Sequence, residues 1–222
     1  MEIRTSFHKE LREIQDDILV MGSMVSKAML RSIDALKNRD VALARQIITD
    51  DQKINHKRFE IEEKCIELIA TQQPMASDLR TIVTVLNIIS EVERIGDYAE
   101  GIAKITIMIG DEPPLKPLID IPRMGEQTVD MLRRSLDAFV IHDAESARKI
   151  IDEDDMVDNL YDQVFRELLT FMSEDPKTIT RATRLLWVAH NLERSADRVT
   201  NICERVIFVV TGKMEEAGLS KY

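Results

Sequence analysis

The sequence predicts an all-α protein: two tandem, pseudo-symmetric antiparallel three-helix bundles made of six long helices. Three observations predict it. First, breakers are scarce and clustered. The 222 residues include only seven glycines and six prolines, and aromatics make up just 5%, a composition poor in strand formers and helix breakers. Second, the stretches between the prolines carry apolar residues at i, i+3, i+4 and i+7, the period of an amphipathic helix. Third, the two halves repeat.

The helices follow in order. Segment 5–37 places Leu11, Ile14, Ile18, Met21, Val25, Ala28 and Met29 on one stripe. It ends in "KNRDVA", where Asp40 is the expected N-cap of the next segment, 41–71. Pro74 in "ATQQPMASD" stops that segment, because proline lacks the amide and clashes inside a helix. Segment 77–109 follows and runs into "GDEPPLKPLIDIP", which holds four of the six prolines. Segment 123–141 lines up Val129, Leu132, Leu136 and Phe139. "VIHDAE" then repeats the soft break, with Asp143 as cap, before a single helix expected over 144–172. Pro176 precedes the last segment, 178–211. The first bundle is expected over residues 1–109, the proline-rich joint over 110–122 and the second bundle over 123–222.

The repeat supports this layout. "SIDALKNRDVALARQIITDD" (Ser32 to Asp51) aligns with "SLDAFVIHDAESARKIIDED" (Ser135 to Asp154) at an offset of 103, and the third helices align at an offset of 100. A duplicated three-helix unit accounts for both.

Composition narrows the function. The net charge of −10 repels nucleic-acid phosphates and anionic membrane surfaces, so neither is an expected partner. The N-terminus has no apolar run of a secretory signal, and no stretch approaches the roughly 20 apolar residues of a membrane span. A cytoplasmic protein is expected, touching membranes only through partners. Cys65 and Cys203 have no C-x-x-C neighbours and read as small buried apolar residues. There is no glycine-rich phosphate loop and no nucleophile elbow.

The unusual feature is a pair of E-R-x-x-D stretches: Glu93, Arg94, Asp97 and Glu193, Arg194, Asp197. Glu93 continues the row of Leu86 and Ile89, where an apolar residue is due, and Glu193 continues the row of Leu186 and Ala189. Like charges at i, i+4 repel, and burial costs several kcal/mol without compensation. Across an antiparallel hairpin, facing residues have numbers of constant sum. Asp51 with Asp97 and Asn55 with Glu93 share one sum; Asp154 with Asp197 and Asp158 with Glu193 share another. Each bundle therefore brings four oxygen-bearing side chains level. Such donors suit hard cations such as Mg²⁺, Ca²⁺, Mn²⁺ or oxidised iron. Metal ligation by Asp51, Asn55, Glu93, Asp97, Asp154, Asp158, Glu193 and Asp197 is one reading. Neutralisation of the acids by Arg58, Arg94 or Arg194 is the other. His190, three residues before Glu193, is within reach of the second cluster, although its counterpart is Ser90. No Glu-x-x-His pair accompanies the acids, unlike ferritin-type di-iron sites. Trp187 falls on the outer side of its helix.

The E-R-x-x-D pair, "RTSFHKELREIQDDILVMGSMVSKAMLRSIDALKNRD", and "QQPMASDLRTIVTVLNIISEVERIGDYAEGIAK" resemble the PhoU family of phosphate-signalling regulators, over nearly the whole chain. The resemblance implies a regulator of phosphate homeostasis and not an enzyme. It implies action on the ATPase subunit of the phosphate ABC importer and on a phosphate-sensing histidine kinase, restraining uptake and the starvation response when phosphate is plentiful. Some members hold metal clusters on E(D)-x-x-x-D motifs, which carries over to Asp51, Glu93, Asp97, Asp154, Asp158, Glu193 and Asp197. Iron, manganese, zinc or magnesium are the expected metals. Asn55 departs from the pattern, and Ala196 replaces the glycine of "ERIGD". A homodimer is expected because amphipathic bundles often pair. The rival readings are a carboxylate-cluster metalloenzyme (hydrolase or oxidase) and a metal-free helical scaffold.

Overall fold

The computed structural model describes residues 2–214, with side chains from Phe7 onward. It contains α1 (Glu2–Asn38), α2 (Val41–Gln72), α3 (Ser77–Ile109), α4 (Asp120–Ile141), α5 (Ala144–Asp152), α6 (Asp154–Glu174) and α7 (Ile179–Thr211). A short 3₁₀ turn, Pro176–Thr178, leads into α7. The described chain is all-helical, as expected, with α5 and α6 sharing the place of the fifth helix.

The α1–α2 and α4–α5 connections are the same device used twice. Arg39 and His142 take left-handed backbone angles, with φ of 57° and 58°. Their amides return to Leu36 and Phe139, and the amides of Asp40 and Asp143 return to Ala35 and Ala138 at 2.8 and 2.9 Å. This satisfies the last carbonyls of α1 and α4 in a Schellman motif. Each aspartate then caps the following helix: Asp40 accepts from the Leu43 amide, and Asp143 from those of Glu145 and Ser146.

One expected helix differs. The segment over 144–172 breaks at Glu153, whose amide is shared between Lys149 and Ile150 carbonyls. Neither proline nor glycine lies there. Four consecutive acids, Asp152 to Asp155, repel one another along a continuous helix. A new start at Asp154 puts Asp154 and Asp155 in the first turn of α6, where the helix dipole favours negative charge. The first repeat has only Asp50 and Asp51 at this point, and α2 runs through. The fourth helix also begins earlier than expected. Asp120 starts it, and Pro122 sits in its first turn, where a missing amide costs nothing.

The four helices α1, α3, α7 and α4 form the centre, with α2 packed on α1 and α3 and with α5–α6 packed on α4 and α7. α3 and α7 make the most extensive contact. They run antiparallel: Arg80 stacks over Phe208 near the end of α7, and Glu91 meets Arg198 and Asn201. The two repeats share one continuous hydrophobic core, from Phe7 and Ile14 through Ile88 and Val92 to Leu192 and Val206. Cys65 and Cys203 are fully buried within it, and burial pushes both thiols up to about 12, so they act as apolar filler.

Candidate functional site

The first acid cluster lies between α2 and α3. Asp51 is buried, Asn55 and Glu93 are half-buried, and Asp97 is exposed. Asp97 therefore differs from its expected inward placement. The buried stripe of α3 is Ile82, Val85, Ile89, Val92 and Ile95. Leu79, seven residues before Leu86 in the row that leads to Glu93, is itself 39% exposed. The row that leads through Glu93 flanks the core, and Asp97 falls beyond its edge. Asp97 and Glu93 nonetheless act on Asp51 across the hairpin. Burial pushes the Asp51 carboxyl up to about 6, reinforced by Asp97, Glu100 and Glu93. Asp97 is also raised, by burial and then by Glu93 and Glu100. Glu100 is a neighbour that the E-R-x-x-D pattern did not single out.

This cluster carries its own counter-groups. Asn55 Nδ2 donates to Asp51 Oδ2 at 3.1 Å. Arg58 Nη1 donates to Glu93 Oε1 at 3.3 Å, from one turn beyond Asn55. Arg58 also approaches Glu62 at 3.8 Å and stacks on Phe59, 5.5 Å from the ring centre.

The second cluster lies between α6 and α7, with Asp154, Asp158, Glu193 and Asp197 all half-buried. Burial pushes Asp154 up to about 7, and Asp158, Asp197 and Glu193 push the same way. Glu193 is also raised to about 7, by burial and Asp197, against the opposing pull of Arg194. Arg194 Nη1 binds Asp197 Oδ2 at 3.0 Å. His190 Nδ1 stands 3.2 Å from Glu193 Oε2, the reach expected of it, without hydrogen-bond alignment. Among the described residues, Asp154 Oδ1 and Glu193 Oε2 are buried oxygens that receive no hydrogen bond. Such atoms cost free energy unless something satisfies them.

The donor set of the second cluster therefore fits a hard cation chemically: carboxylate oxygens, two of them buried and without a hydrogen bond. The arrangement is not a closed site. Among the described residues, no group of three or more His, Cys, Asp and Glu side chains is disposed to hold a metal ion. An open groove of about 530 Å³ lies elsewhere, between α4 and α6, lined by Arg123, Glu126, Asp130 and Gln163 among others. None of the eight clustered residues lines it, and it pairs no nucleophile with a base. Trp187 is 51% exposed, on the outer side as expected.

A duplicated three-helix unit, one shared core, and an acid pair on the third helix of each repeat define a helical-bundle protein without an assembled catalytic constellation among the described residues. The PhoU domain model matches it twice, over residues 18–106 and 121–206. The phosphate-specific transport system accessory protein PhoU homolog of Clostridium acetobutylicum is 40% identical over 211 residues, covering 95% of this chain and 96% of that protein. The PhoU accessory protein of Escherichia coli is 36% identical over 211 residues, covering 95% and 88%. The crystal structure of the phosphate transport system regulatory protein PhoU from Streptococcus pneumoniae superposes with a TM-score of 0.88 at 31% identity, covering 95% of this chain and 99% of that one. The chain belongs to the PhoU family, the accessory proteins of phosphate-specific transport systems, and is a regulatory protein rather than an enzyme. No helix of the described residues is long and apolar enough to cross a membrane.

Proposed function

We propose that the protein is a regulatory adaptor of phosphate homeostasis. It acts on the ATPase subunit of the phosphate ABC importer and on a phosphate-sensing histidine kinase, restraining uptake and starvation signalling when phosphate is plentiful. The observation that carries this reading is the near full-length match to phosphate-specific transport accessory proteins. Work with membrane complexes is through partners, in the cytoplasm, and the adaptor acts as a homodimer.

The acid clusters are the proposed metal sites, with Asp154, Asp158, Glu193 and Asp197 as ligands in the second bundle and Asp51, Asn55, Glu93 and Asp97 in the first. Iron, manganese, zinc or magnesium supplies the positive charge that the carboxylates lack. The buried oxygens of Asp154 and Glu193 that receive no hydrogen bond support the second site. The ion pairs Arg58–Glu93 and Arg194–Asp197 support the competing reading, in which arginines neutralise part of the acidity.

The test is deletion of the gene in its host, with an alkaline phosphatase reporter read at high phosphate. Constitutive expression, repressed again by the wild-type gene, is expected. Repression that survives deletion would reject the regulator reading. Full rescue by a gene with all eight positions changed to alanine would reject a regulatory role for metal.

A further inference from the structure

We infer that the groove between α4 and α6 is a docking slot for a lysine-bearing segment of a partner protein, in the place that a lysine of the chain itself fills in the first repeat. This rests on the adaptor reading proposed above and adds where on the surface a partner is held.

The first repeat shows what the slot takes. There Lys57 of α2 reaches across to α1 and donates to Asp17 Oδ1 at 2.6 Å, with both side chains only 17% exposed. Lys64 donates to the other oxygen of Asp17. The second repeat keeps the acid and loses both lysines. At the offset of 103, Asp17 becomes Asp120, Lys57 becomes Leu160 and Lys64 becomes Glu167.

The contacts follow the exchange. Asp120 stays buried, accepts from Gln163 Nε2 at 3.3 Å and has Arg123 at 3.6 Å. Glu167 is served from elsewhere, by Lys116 of the proline-rich joint. Leucine is shorter than lysine and carries no charge. The seam that Lys57 bridges in the first repeat is an open groove of about 530 Å³ in the second.

The walls change in the same sense. Lys27 and Lys53 of the first repeat become Asp130 and Met156, and Ser23 and His56 become Glu126 and Asn159. Counting Lys57, three lysines leave and two acids enter. Among the described residues, Glu126 and Asn159 make no hydrogen bond or ion pair. Met156 and Leu160 offer an apolar floor to the methylene stem of a lysine, while the acids face its ammonium head. The carboxamides of Gln127 and Asn159 each donate and accept, as a peptide backbone requires. A second copy of this chain fits less well, because it brings the same net charge of −10 to an acidic groove. A basic segment is drawn towards it.

The test mixes the full chain with each of the two proposed partners in purified form, the importer's ATPase subunit and the kinase, and measures binding by calorimetry. L160K copies Lys57 into the second repeat and fills the slot from within; it is expected to weaken binding of one partner at least tenfold. E126K, at an exposed position, is expected to weaken it at least fivefold and carries the test if circular dichroism shows L160K unfolded. S23K, at the equivalent exposed place of the first repeat, is expected to bind within twofold of wild type. A carbodiimide, which joins a carboxylate directly to an amine, is expected to link Glu126 or Asp130 to a lysine of that partner, as read by mass spectrometry. Wild-type binding by both groove variants, or no link from either acid to a partner that binds, would overturn this inference and leave the adaptor reading standing. So would a link only to a lysine of a second copy of this chain. Failure of the wild type to bind either partner would overturn both.

Discussion

Gly22 of α1 lies directly against Leu136 of α4: a Cβ at Gly22 would overlap Leu136 Cδ1. The same relationship recurs between Gly125 and Ile33, the counterparts at the offset of 103. The two contacts exchange roles, glycine for large apolar residue, as a two-fold arrangement requires. They let α1 and α4 approach closely and join the repeats. Helix propensity favours Gly22→Ala by about 1 kcal/mol. The displaced atom is the far end of a flexible side chain, so the net change should stay within about 1 kcal/mol. Gly22→Leu overpacks the same spot and should cost about 1–3 kcal/mol. Leu136→Ala in that background should recover part of the loss. Urea denaturation measures all three, and a Gly22→Leu protein as stable as wild type would contradict the packing.

Arg134 offers a second test. Its two terminal nitrogens bind both oxygens of Glu153, the residue where the fifth helix breaks, with Nη1 to Oε1 at 2.9 Å. Gln127 adds a weaker contact at 3.4 Å. In the first repeat, Arg31 holds Asp50 through one nitrogen at 3.1 Å, and Lys53 shares the load at 2.7 Å. Bidentate pairs are stronger and more directional than single ones. Arg134→Ala should therefore destabilise by about 1–2 kcal/mol, with Arg31→Ala below that. Thermal unfolding of the pair decides it; a larger loss for Arg31→Ala would show that the forked contact is not the stronger anchor.

These two relationships mark what the sequence could and could not disclose. Proline placement and apolar period located the helices because both act locally. The caps Asp40 and Asp143 were legible for the same reason. The break at Glu153 was not, because its causes are mutual repulsion of four acids and the pull of Arg134 from another helix. The facing of Asp51 with Asp97 followed from antiparallel register alone. The exposure of Asp97 did not, since a helix row drifts by about 20° per heptad and the edge of the core depends on what packs beside it. Arg58 was one of three arginines that numbering left equivalent. Only the fold shows that it reaches Glu93 while Arg194 stays at the rim with Asp197.

The contact between the repeats has a polar clasp that can be weighed separately. Arg198 Nη1 and Asn201 Nδ2 of α7 both donate to Glu91 Oε2 of α3, at 3.3 and 3.1 Å. The Arg198 and Glu91 side chains are only 15% and 19% exposed. Removing the acid strands a half-buried guanidinium whose Nε already has no acceptor among the described residues. Glu91→Ala should cost about 1–3 kcal/mol, and Glu91→Gln less, because an acceptor for Asn201 remains. In a double-mutant cycle, Arg198→Met should offset part of the Glu91→Ala loss. Strict additivity of the two changes would mean the clasp contributes nothing between the repeats.

The acid clusters predict an unusual pH dependence for the metal-free protein. Asp154 and Glu193 are raised to about 7 in the folded state, and Asp51 to about 6. Unfolded, such groups release their protons near pH 4. Between about pH 4 and 7 the folded protein therefore binds more protons than the unfolded one. Stability must then fall as pH rises through that window. The carboxylates held low by lysine or arginine, Asp17, Asp50 and Asp130, act the other way, but only below their ordinary range. They do not offset the slope above pH 5. With chelator present, the melting temperature should drop from pH 5 to pH 7.5. D154N/E193Q should flatten the drop and melt higher than wild type at pH 7.5, because it removes charges that the fold leaves uncompensated. Mn²⁺ added at pH 7.5 should raise the wild-type melting temperature and leave D154N/E193Q nearly unmoved. A melting temperature that is level or rises across the window would mean these carboxylates ionise freely in the folded protein.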